Sequence, residues 1–315
     1  MSKRWLGLAA PATSANVGPG FDTAALALGL HLHVDAQEAD TFSIQAEGRN
    51  AEVCGVLEGN LIVEVYREVM TRAGKPVIPL DLQLRNEIPL GMGCGSSAAA
   101  RVAGVTLAVY FGQLGWDRKR IFEEAARLEG HPDNAAACVL GGFAVSGAKD
   151  GAGEGGPAVA TNFIPPEGWS AVLAIPSQPL ATTASRAVLP ETYERRAAVS
   201  NLQCVALLTA GFARGDEELV RAGMHDWLHQ PYRAEACSLL PVLADLRTED
   251  GVLGVTLSGA GPAILVLCKG VAAPGVSEKA RVLVNPKGDG GEVEVLVRPL
   301  DMRGLQATGN GIPLW

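Results

Sequence analysis

The stretch at residues 89–100 limits the possible folds of this chain more than any other. It reads PLGMGCGSSAAA, with three glycines at alternate positions, two serines and a run of alanines. Glycines let backbone amides converge on an anion, and the alanines favour a helix that begins at the same point. Because Leu80, Leu82 and Leu84 alternate with polar residues shortly before the loop, it is predicted to join a strand to a helix. This unit is typical of a phosphate-binding site.

Common phosphate-binding loops differ in the residues that accompany their glycines. A Walker A loop ends in Gly-Lys-Ser/Thr, but this one ends in Gly95-Ser96-Ser97, so that type is excluded. A dinucleotide loop is disfavoured, because the glycines run G-x-G-x-G and the acid at about the right distance, Asp117, is predicted to begin a helix. Two interpretations remain. In the first, the loop holds a polyphosphate without a lysine, so Mg²⁺ would neutralise more of the phosphate charge and would bind oxygen ligands such as the Ser97 hydroxyl. In the second, the loop only allows close packing of a helix on a strand.

The periodicity of apolar residues predicts two domains of mixed helices and strands, at residues 1–160 and 161–315. Residues 11–22 are predicted to be rich in turns, and residues 147–157 to form a mobile surface loop. Asn60, Asp117 and Asp133 are predicted to cap helices. Strands are predicted at residues 26–34, 42–46, 80–84, 171–176, 252–257, 263–268, 280–284 and 292–297. Helices are predicted at residues 61–69, 96–114, 117–128, 198–213 and 217–228, with one more before residue 251.

Charge and composition exclude several classes of protein. A net charge of −8 argues against nucleic acid or an anionic membrane as a partner. We expect a soluble cytoplasmic protein, since no signal-peptide pattern and no apolar run of about 18 residues is found. The six scattered cysteines are predicted to be reduced and mostly buried. His225 and His229 have the spacing of half a metal site, but Asp226 stands where a zincin has Glu, so no metal is expected there.

Three separated stretches together resemble the motifs of the GHMP kinases. Residues 89–99 resemble the phosphate loop of that superfamily, residues 11–22 (PATSANVGPGFD) its N-terminal motif, and residues 257–263 (LSGAGPA) its C-terminal glycine motif. Within the superfamily, the chain is similar to the homoserine kinases in EGHPDN at residues 129–134, in Thr182 with Arg186, and in QPYR at residues 230–233. Met92 and Cys94 replace residues that are more often basic, small or leucine, which matters little where backbone amides bind the ligand.

This resemblance implies a fold and an activity. The fold class would be α+β, a two-domain GHMP kinase fold with a β-α-β core in the N-terminal nucleotide-binding domain and a ferredoxin-like C-terminal domain. The activity would be ATP- and Mg²⁺-dependent phosphorylation of L-homoserine to O-phospho-L-homoserine, a step of threonine biosynthesis, by a homodimer. Two alternatives stay open, namely a GHMP kinase for another small molecule and a silent sensor of nucleotide and metabolite.

The resemblance also implies roles for single residues. Asn134 would orient the attacking hydroxyl, with Asp133 as the alternative, a general base. Glu129 would bind Mg²⁺ together with Ser97, and Glu123 is the alternative carboxylate. The residues implied to bind the amino acid are Asn16, Asp22, His131, Asn134, Thr182, Arg186 and Arg233. The residues implied to bind ATP are Asn60, Pro89, Leu90, Gly91, Met92, Gly93, Cys94, Gly95, Ser96, Ser97, Ala98 and Ala99.

Overall fold

The computed structural model describes residues 3–149, 157–180, 182–285 and 293–315. The strands are β1 (Trp5–Asn16), β2 (Gly20–Glu38), β3 (Ser43–Gly48), β4 (Leu80–Asn86), β5 (Phe143–Ala148), β6 (Ala158–Phe163), β7 (Trp169–Pro176), β8 (Val252–Leu257), β9 (Ile264–Lys269), β10 (Val293–Pro299), β11 (Gln306–Gly309) and β12 (Ile312–Pro313). The helices are α1 (Ala51–Cys54), α2 (Leu61–Arg72), α3 (Ser96–Phe111), α4 (Arg118–Glu129), α5 (Asp133–Leu140), α6 (Thr182–Ala187), α7 (Arg195–Arg214), α8 (Glu217–Gly223), α9 (Gln230–Arg233), α10 (Leu239–Leu243) and α11 (Ala273–Val284), and a 3₁₀ helix covers Ala244–Thr248.

The first sheet has the order β12-β11-β1-β2-β4-β3, and β5 pairs with both β2 and β6. Strands β3 and β4 are parallel and are joined through α1 and α2, which is the predicted β-α-β core. In β4, Leu80, Leu82 and Leu84 face the core as their alternation predicts. Helix α3 is buried along most of its length, because alanine and valine allow it to pack closely on α2, α4 and β1. The loop at residues 89–95 therefore lies between a buried strand and a buried helix.

The second sheet is antiparallel and has the order β10-β7-β9-β8. This is the strand order 4-1-3-2 of a ferredoxin-like fold, so the predicted fold class is confirmed. The end of the chain then returns to the first sheet, where β11 pairs with β1. The division of the chain at residue 160 stays a prediction.

The structure corrects four local predictions. Residues 11–16 belong to β1 and pair with β2, because the apolar side chains of this stretch are buried, and the turn is confined to residues 17–19. Residues 280–284 are helical rather than extended. Ala273, Val276, Ser277 and Ala280 form the buried face of α11, and their spacing is that of a helix.

The other two corrections concern helix ends. Helix α8 ends at Gly223 instead of near residue 228, because the Asp226 carboxylate accepts hydrogen bonds from the backbone N–H groups of residues 228, 229 and 230 and starts a new turn. Asp133 is the first residue of α5 and Pro132 is its cap, so the predicted capping role was wrong. Most of the predicted loop at residues 147–157 lies outside the described residues, as do residues 286–292.

Candidate active site

The glycines of the loop are required by its backbone and by its neighbours. Gly91, Gly93 and Gly95 have φ of 71°, 77° and 70°, in the left-handed region that favours glycine. A Cβ atom on Gly93 would overlap the carbonyl oxygen of Ser258, and one on Gly95 would overlap the hydroxyl of Thr13. The Ser258 hydroxyl also donates a hydrogen bond of 2.7 Å to the carbonyl of Gly93. The loop is therefore held between the N-terminal motif and the C-terminal glycine motif.

The same two motifs contact each other and the end of the loop. The backbone N–H of Thr13 donates to the carbonyl of Cys94 at 3.1 Å. The side-chain amide of Asn16 donates to the carbonyl of Gly259 at 2.8 Å. Three stretches that are far apart in sequence therefore form one wall of a site.

A cavity of about 630 Å³ opens beside this wall. The implied site residues that line it are Asn16, Asp22, Gly91, Gly93, Gly95, Ser96, Ser97, Glu129, His131, Asp133, Asn134, Arg186 and Arg233. Lining residues that were not predicted include Phe21 and Arg101. Phe21 belongs to the N-terminal motif, and Arg101 lies one helical turn after Ser97, and these positions are the signals that the sequence gives for them.

The other implied residues lie elsewhere. Pro89, Leu90 and Met92 line a second cavity of about 510 Å³ next to the loop. Cys94, Ala98 and Ala99 are buried and contribute to packing. Burial raises the pKa of the Cys94 thiol to about 12, so it stays protonated.

Three further residues are placed outside the first cavity or outside the described side chains. Asn60 caps α2 as predicted, because its side-chain oxygen accepts from the N–H of Ile62, and its amide donates to the carbonyl of Cys54. Glu123 pairs with Arg120 on α4, and neither is among the described residues that line the cavity. Thr182 begins α6, but its side chain lies outside the described part of the structure.

Charges of both signs meet on one side of the cavity. Arg186 forms two hydrogen bonds with Asp22, of 2.9 and 2.5 Å, from nitrogens Nη1 and Nη2 to the two carboxylate oxygens. The guanidinium groups of Arg186 and Arg233 lie 5.5 and 5.3 Å from the ring centre of Phe21. Phe21 therefore contacts both cations, which keeps them close together despite their mutual repulsion.

Arg233 is almost completely buried, and its partners are fixed. Its Nε donates to the carbonyl of Ser185 at 3.0 Å, and its Nη1 lies 3.1 Å from Nδ1 of His229. Nε2 of His229 lies 2.8 Å from the carbonyl of Gly18 and must donate to it, so Nδ1 is the nitrogen that accepts from Arg233. Burial lowers the pKa of His229, which keeps its ring neutral in this role. Sequence spacing alone made this histidine resemble a metal ligand, and neither His225 nor His229 belongs to a described group with metal-binding geometry.

A chain of hydrogen bonds crosses the floor of the cavity. The Thr13 hydroxyl donates to Oδ1 of Asn134 at 2.6 Å, and Oδ1 of Asp133 accepts from the N–H of Asn134 at 2.7 Å. Nδ1 of His131 lies 3.2 Å from the same Asp133 oxygen, and this hydrogen bond raises the pKa of His131. The Asn134 amide is therefore oriented by Thr13, a buried residue that was not predicted.

Ser97 and Glu129 meet at the first turn of α3. The Ser97 hydroxyl and Oε2 of Glu129 are 3.3 Å apart, and Arg101 contacts both of them. Hard oxygen ligands at this separation suit Mg²⁺. The guanidinium of Arg101 contacts both of these oxygens, which shows that the site favours a positive charge. The residues present therefore fit the metal. Asp22, His131 and Asp133 form a second group, with ligand atoms within 4.8 Å of one another.

Comparisons with known proteins agree with this geometry. The model of the GHMP kinase N-terminal domain matches residues 60–142, and that of the GHMP kinase C-terminal domain matches residues 208–281, which defines the class of protein. The homoserine kinase of Solibacter usitatus is 44% identical over 84% of this chain and 86% of its own length. That of Synechocystis is 36% identical over 95% of this chain and 96% of its own. The chain therefore belongs to the homoserine kinase family of the GHMP kinases.

A solved structure shows the same fold. The crystal structure of homoserine kinase from Cytophaga hutchinsonii superposes with a TM-score of 0.82 and covers 96% of this chain and 97% of that one, at 24% identity. None of the helices in the described ranges is long and apolar enough to span a membrane.

Proposed function

We propose that this protein transfers the γ-phosphoryl group of ATP to the side-chain hydroxyl of L-homoserine. The observation that carries the proposal is the meeting of Arg186, Arg233 and Asp22 in the cavity that the glycine loop borders. An α-amino acid presents a carboxylate and an ammonium group close together, and this site offers two cations and an anion side by side. The membership of the chain in the homoserine kinase family supports the same substrate.

The amino acid would bind by exchanging partners with the ion pair. Its carboxylate would bind to Arg186 and Arg233, since a guanidinium binds a carboxylate through two hydrogen bonds. Its ammonium would pair with the carboxylate of Asp22, and Asn16 would lie nearby. Each residue of the pair thereby gains a substrate group as it gives up its partner, so neither is left as an unpaired charge.

Asn134 would hold the reacting hydroxyl. Phosphoryl transfer has a loose transition state, so positioning contributes more than proton removal. The Asn134 side chain accepts a hydrogen bond from Thr13, and the Asn134 backbone N–H donates to Asp133, so the residue is held in place, which suits one that positions a hydroxyl. Oδ1 of Asp133 accepts hydrogen bonds from Asn134 and from His131 and so serves to position them, and we favour Asn134 as orienter over Asp133 as base.

The polyphosphate of ATP would lie at the loop and at the N-terminus of α3. The backbone N–H groups there, with the helix dipole, provide a site for an anion without a lysine. Ser97 and Glu129 would hold Mg²⁺, with Glu123 disfavoured because it is not among the described residues that line the cavity. Bound Mg²⁺ neutralises phosphate charge and orients the phosphate oxygens. Cytoplasmic location, a role in threonine biosynthesis and a homodimer stay predictions.

The test is a substrate panel. Purified protein is incubated with ATP, Mg²⁺ and one acceptor at a time, namely homoserine, threonine, galactose, mevalonate or shikimate, and ADP release is measured. We expect turnover with homoserine. Turnover only with another alcohol would replace the substrate, and binding of ATP without any turnover would favour a sensor.

A further inference from the structure

Arg101 lies at the point where the implied metal ligands meet. It is on α3, one helical turn after Ser97, and its Nη1 lies 2.5 Å from Oε2 of Glu129 and also contacts the Ser97 hydroxyl. Its Nε donates to the carbonyl of Leu128 at 3.1 Å, which holds the side chain between α3 and α4. The guanidinium also lines the cavity that the glycine loop borders.

While Arg101 makes these contacts, a metal ion cannot bind Oγ of Ser97 and Oε2 of Glu129. The Glu129 side chain is 10% exposed, so its carboxylate would be costly to leave without a cation. Arg101 provides that cation. Since Ser97 Oγ and Glu129 Oε2 are only 3.3 Å apart, a metal ion that binds both must displace the guanidinium.

The displaced guanidinium can bind a phosphate at the glycine loop instead. The loop at residues 89–95 contains no lysine, so its anion site has backbone dipoles but no formal positive charge of its own. Arg101 is in the first turns of the helix that follows this loop, on the cavity side. A long, flexible side chain in this position can reach a phosphate at the helix N-terminus and bind it through two hydrogen bonds.

We propose that Arg101 exchanges partners in the catalytic cycle. Without metal it neutralises Glu129 and occupies the Ser97–Glu129 oxygens, and when the metal–nucleotide complex binds, it moves to the polyphosphate and supplies the charge that a loop lysine supplies in other phosphate sites. Arg101 is thus a positioning residue for both ATP and the metal. This inference rests on the proposed function, because it requires a polyphosphate at the loop.

The test measures binding rather than turnover. Calorimetry at saturating Mg²⁺, where the metal has already displaced Arg101 from Glu129, gives the affinity for the ATP analogue AMPPNP, and electron paramagnetic resonance gives the affinity for Mn²⁺ without nucleotide. For Arg101→Gln we expect AMPPNP to bind about tenfold more weakly, because a charged hydrogen-bond donor is lost. We expect Mn²⁺ to bind roughly fivefold more tightly, because Glu129 is released from its ion pair. Arg101→Lys keeps the charge and should stay near the wild type in both measurements.

The two affinities move in opposite directions, which separates this role from a structural one. If Arg101 only joined α3 to α4, the Gln and Lys variants would both lose the contact to Leu128 and would weaken both ligands together. That result would overturn the inference, as would unchanged affinities in Arg101→Gln. Arg120→Gln is the control, since it removes an arginine that pairs with Glu123 at the surface of α4 and should change neither affinity.

The same measurements distinguish a failure of the proposed function from a failure of the inference about Arg101. If the wild type binds no AMPPNP even with Mg²⁺, the proposed function and this inference both fail. If the wild type binds AMPPNP but the Arg101 variants behave like the wild type, only the inference fails.

Discussion

Arg186 and Asp22 are 164 residues apart in the chain, yet they form a two-point ion pair inside the candidate active site. The pair joins the N-terminal motif to α6. Its two members are also the groups that we assign to the carboxylate and the ammonium of the substrate. The site therefore already contains a pair of opposite charges in the place where a zwitterion is proposed to bind.

Replacing Asp22 tests this assignment. In Asp22→Asn we expect KM for homoserine to rise about tenfold or more, because a charged partner of the ammonium is lost. Preference for homoserine over 4-hydroxybutanoate, which lacks the ammonium group, should fall by a similar factor in steady-state assays. As a control, Glu294→Gln breaks the ion pair of Glu294 with Arg49, which lines the second cavity and not the one that contains Asp22, and should preserve the preference. An unchanged preference in Asp22→Asn would place the ammonium elsewhere.

Removing the Thr13 hydroxyl tests the orientation of Asn134. Thr13→Val keeps the shape but loses the 2.6 Å hydrogen bond to Oδ1, so the amide can rotate away from the reacting hydroxyl. We expect kcat to fall roughly tenfold with little change in KM for ATP, because misplacement of reacting groups is costly. Thr106→Val is the matched control, since that buried hydroxyl donates to the carbonyl of Val102 within α3. Equal losses of kcat in the two variants would contradict the role of Thr13.

Alanine substitutions separate backbone strain from crowding at the loop. Gly95 and Gly115 have φ of 70° and 66°, so alanine is strained by a similar amount at both, on the order of 1 kcal/mol. A Cβ atom at Gly95 would collide with Thr13, whereas one at Gly115 would have no atom of the described residues within 4 Å. We expect Gly95→Ala to lower the free energy of unfolding more than Gly115→Ala does, as measured in urea, and to abolish AMPPNP binding. Normal nucleotide binding by Gly95→Ala would show that the loop geometry is not needed.

The stability of the protein should depend on the protonation of His229. Burial lowers its pKa in the folded protein below the value of about 6.5 in the unfolded chain, so the unfolded chain binds the proton more readily. The free energy of unfolding should therefore fall as the pH drops below about 6.5, by at most about 1.4 kcal/mol per pH unit from this group. His229→Gln should show a shallower decline between pH 7 and pH 5 in urea titrations. An identical slope in both proteins would mean that His229 does not set this dependence.

Local sequence patterns predicted most elements because their causes are local. The alternating leucines of β4, the Asn60 cap of α2 and the Asp117 cap of α4 each act within a few residues. Residues 280–284 were predicted wrongly because a run of valine and leucine suits a strand, whereas in α11 Val282 and Leu283 are exposed and the buried face lies at earlier positions such as Val276 and Ala280.

The implied site residues were brought together largely as expected, but their partners were not foreseen. The motif at residues 11–22 contains both Thr13 and Phe21, and neither could be assigned a role without knowing which side chains lie opposite. Arg101 had a weak signal in its spacing from Ser97. Its contact with Glu129 also depends on how α3 packs against α4.

The sequence by itself determined that a glycine loop without a lysine precedes a buried helix, and its three motifs indicated a family with an ATP site. These properties follow from residue types at short spacing. Only the tertiary structure decided that Asp22 pairs with Arg186, that His229 is neutral and holds Arg233, and that Arg101 occupies the oxygens of Ser97 and Glu129. Such pairings depend on distances between residues that are remote in the chain, and the packing of two sheets and their helices sets those distances.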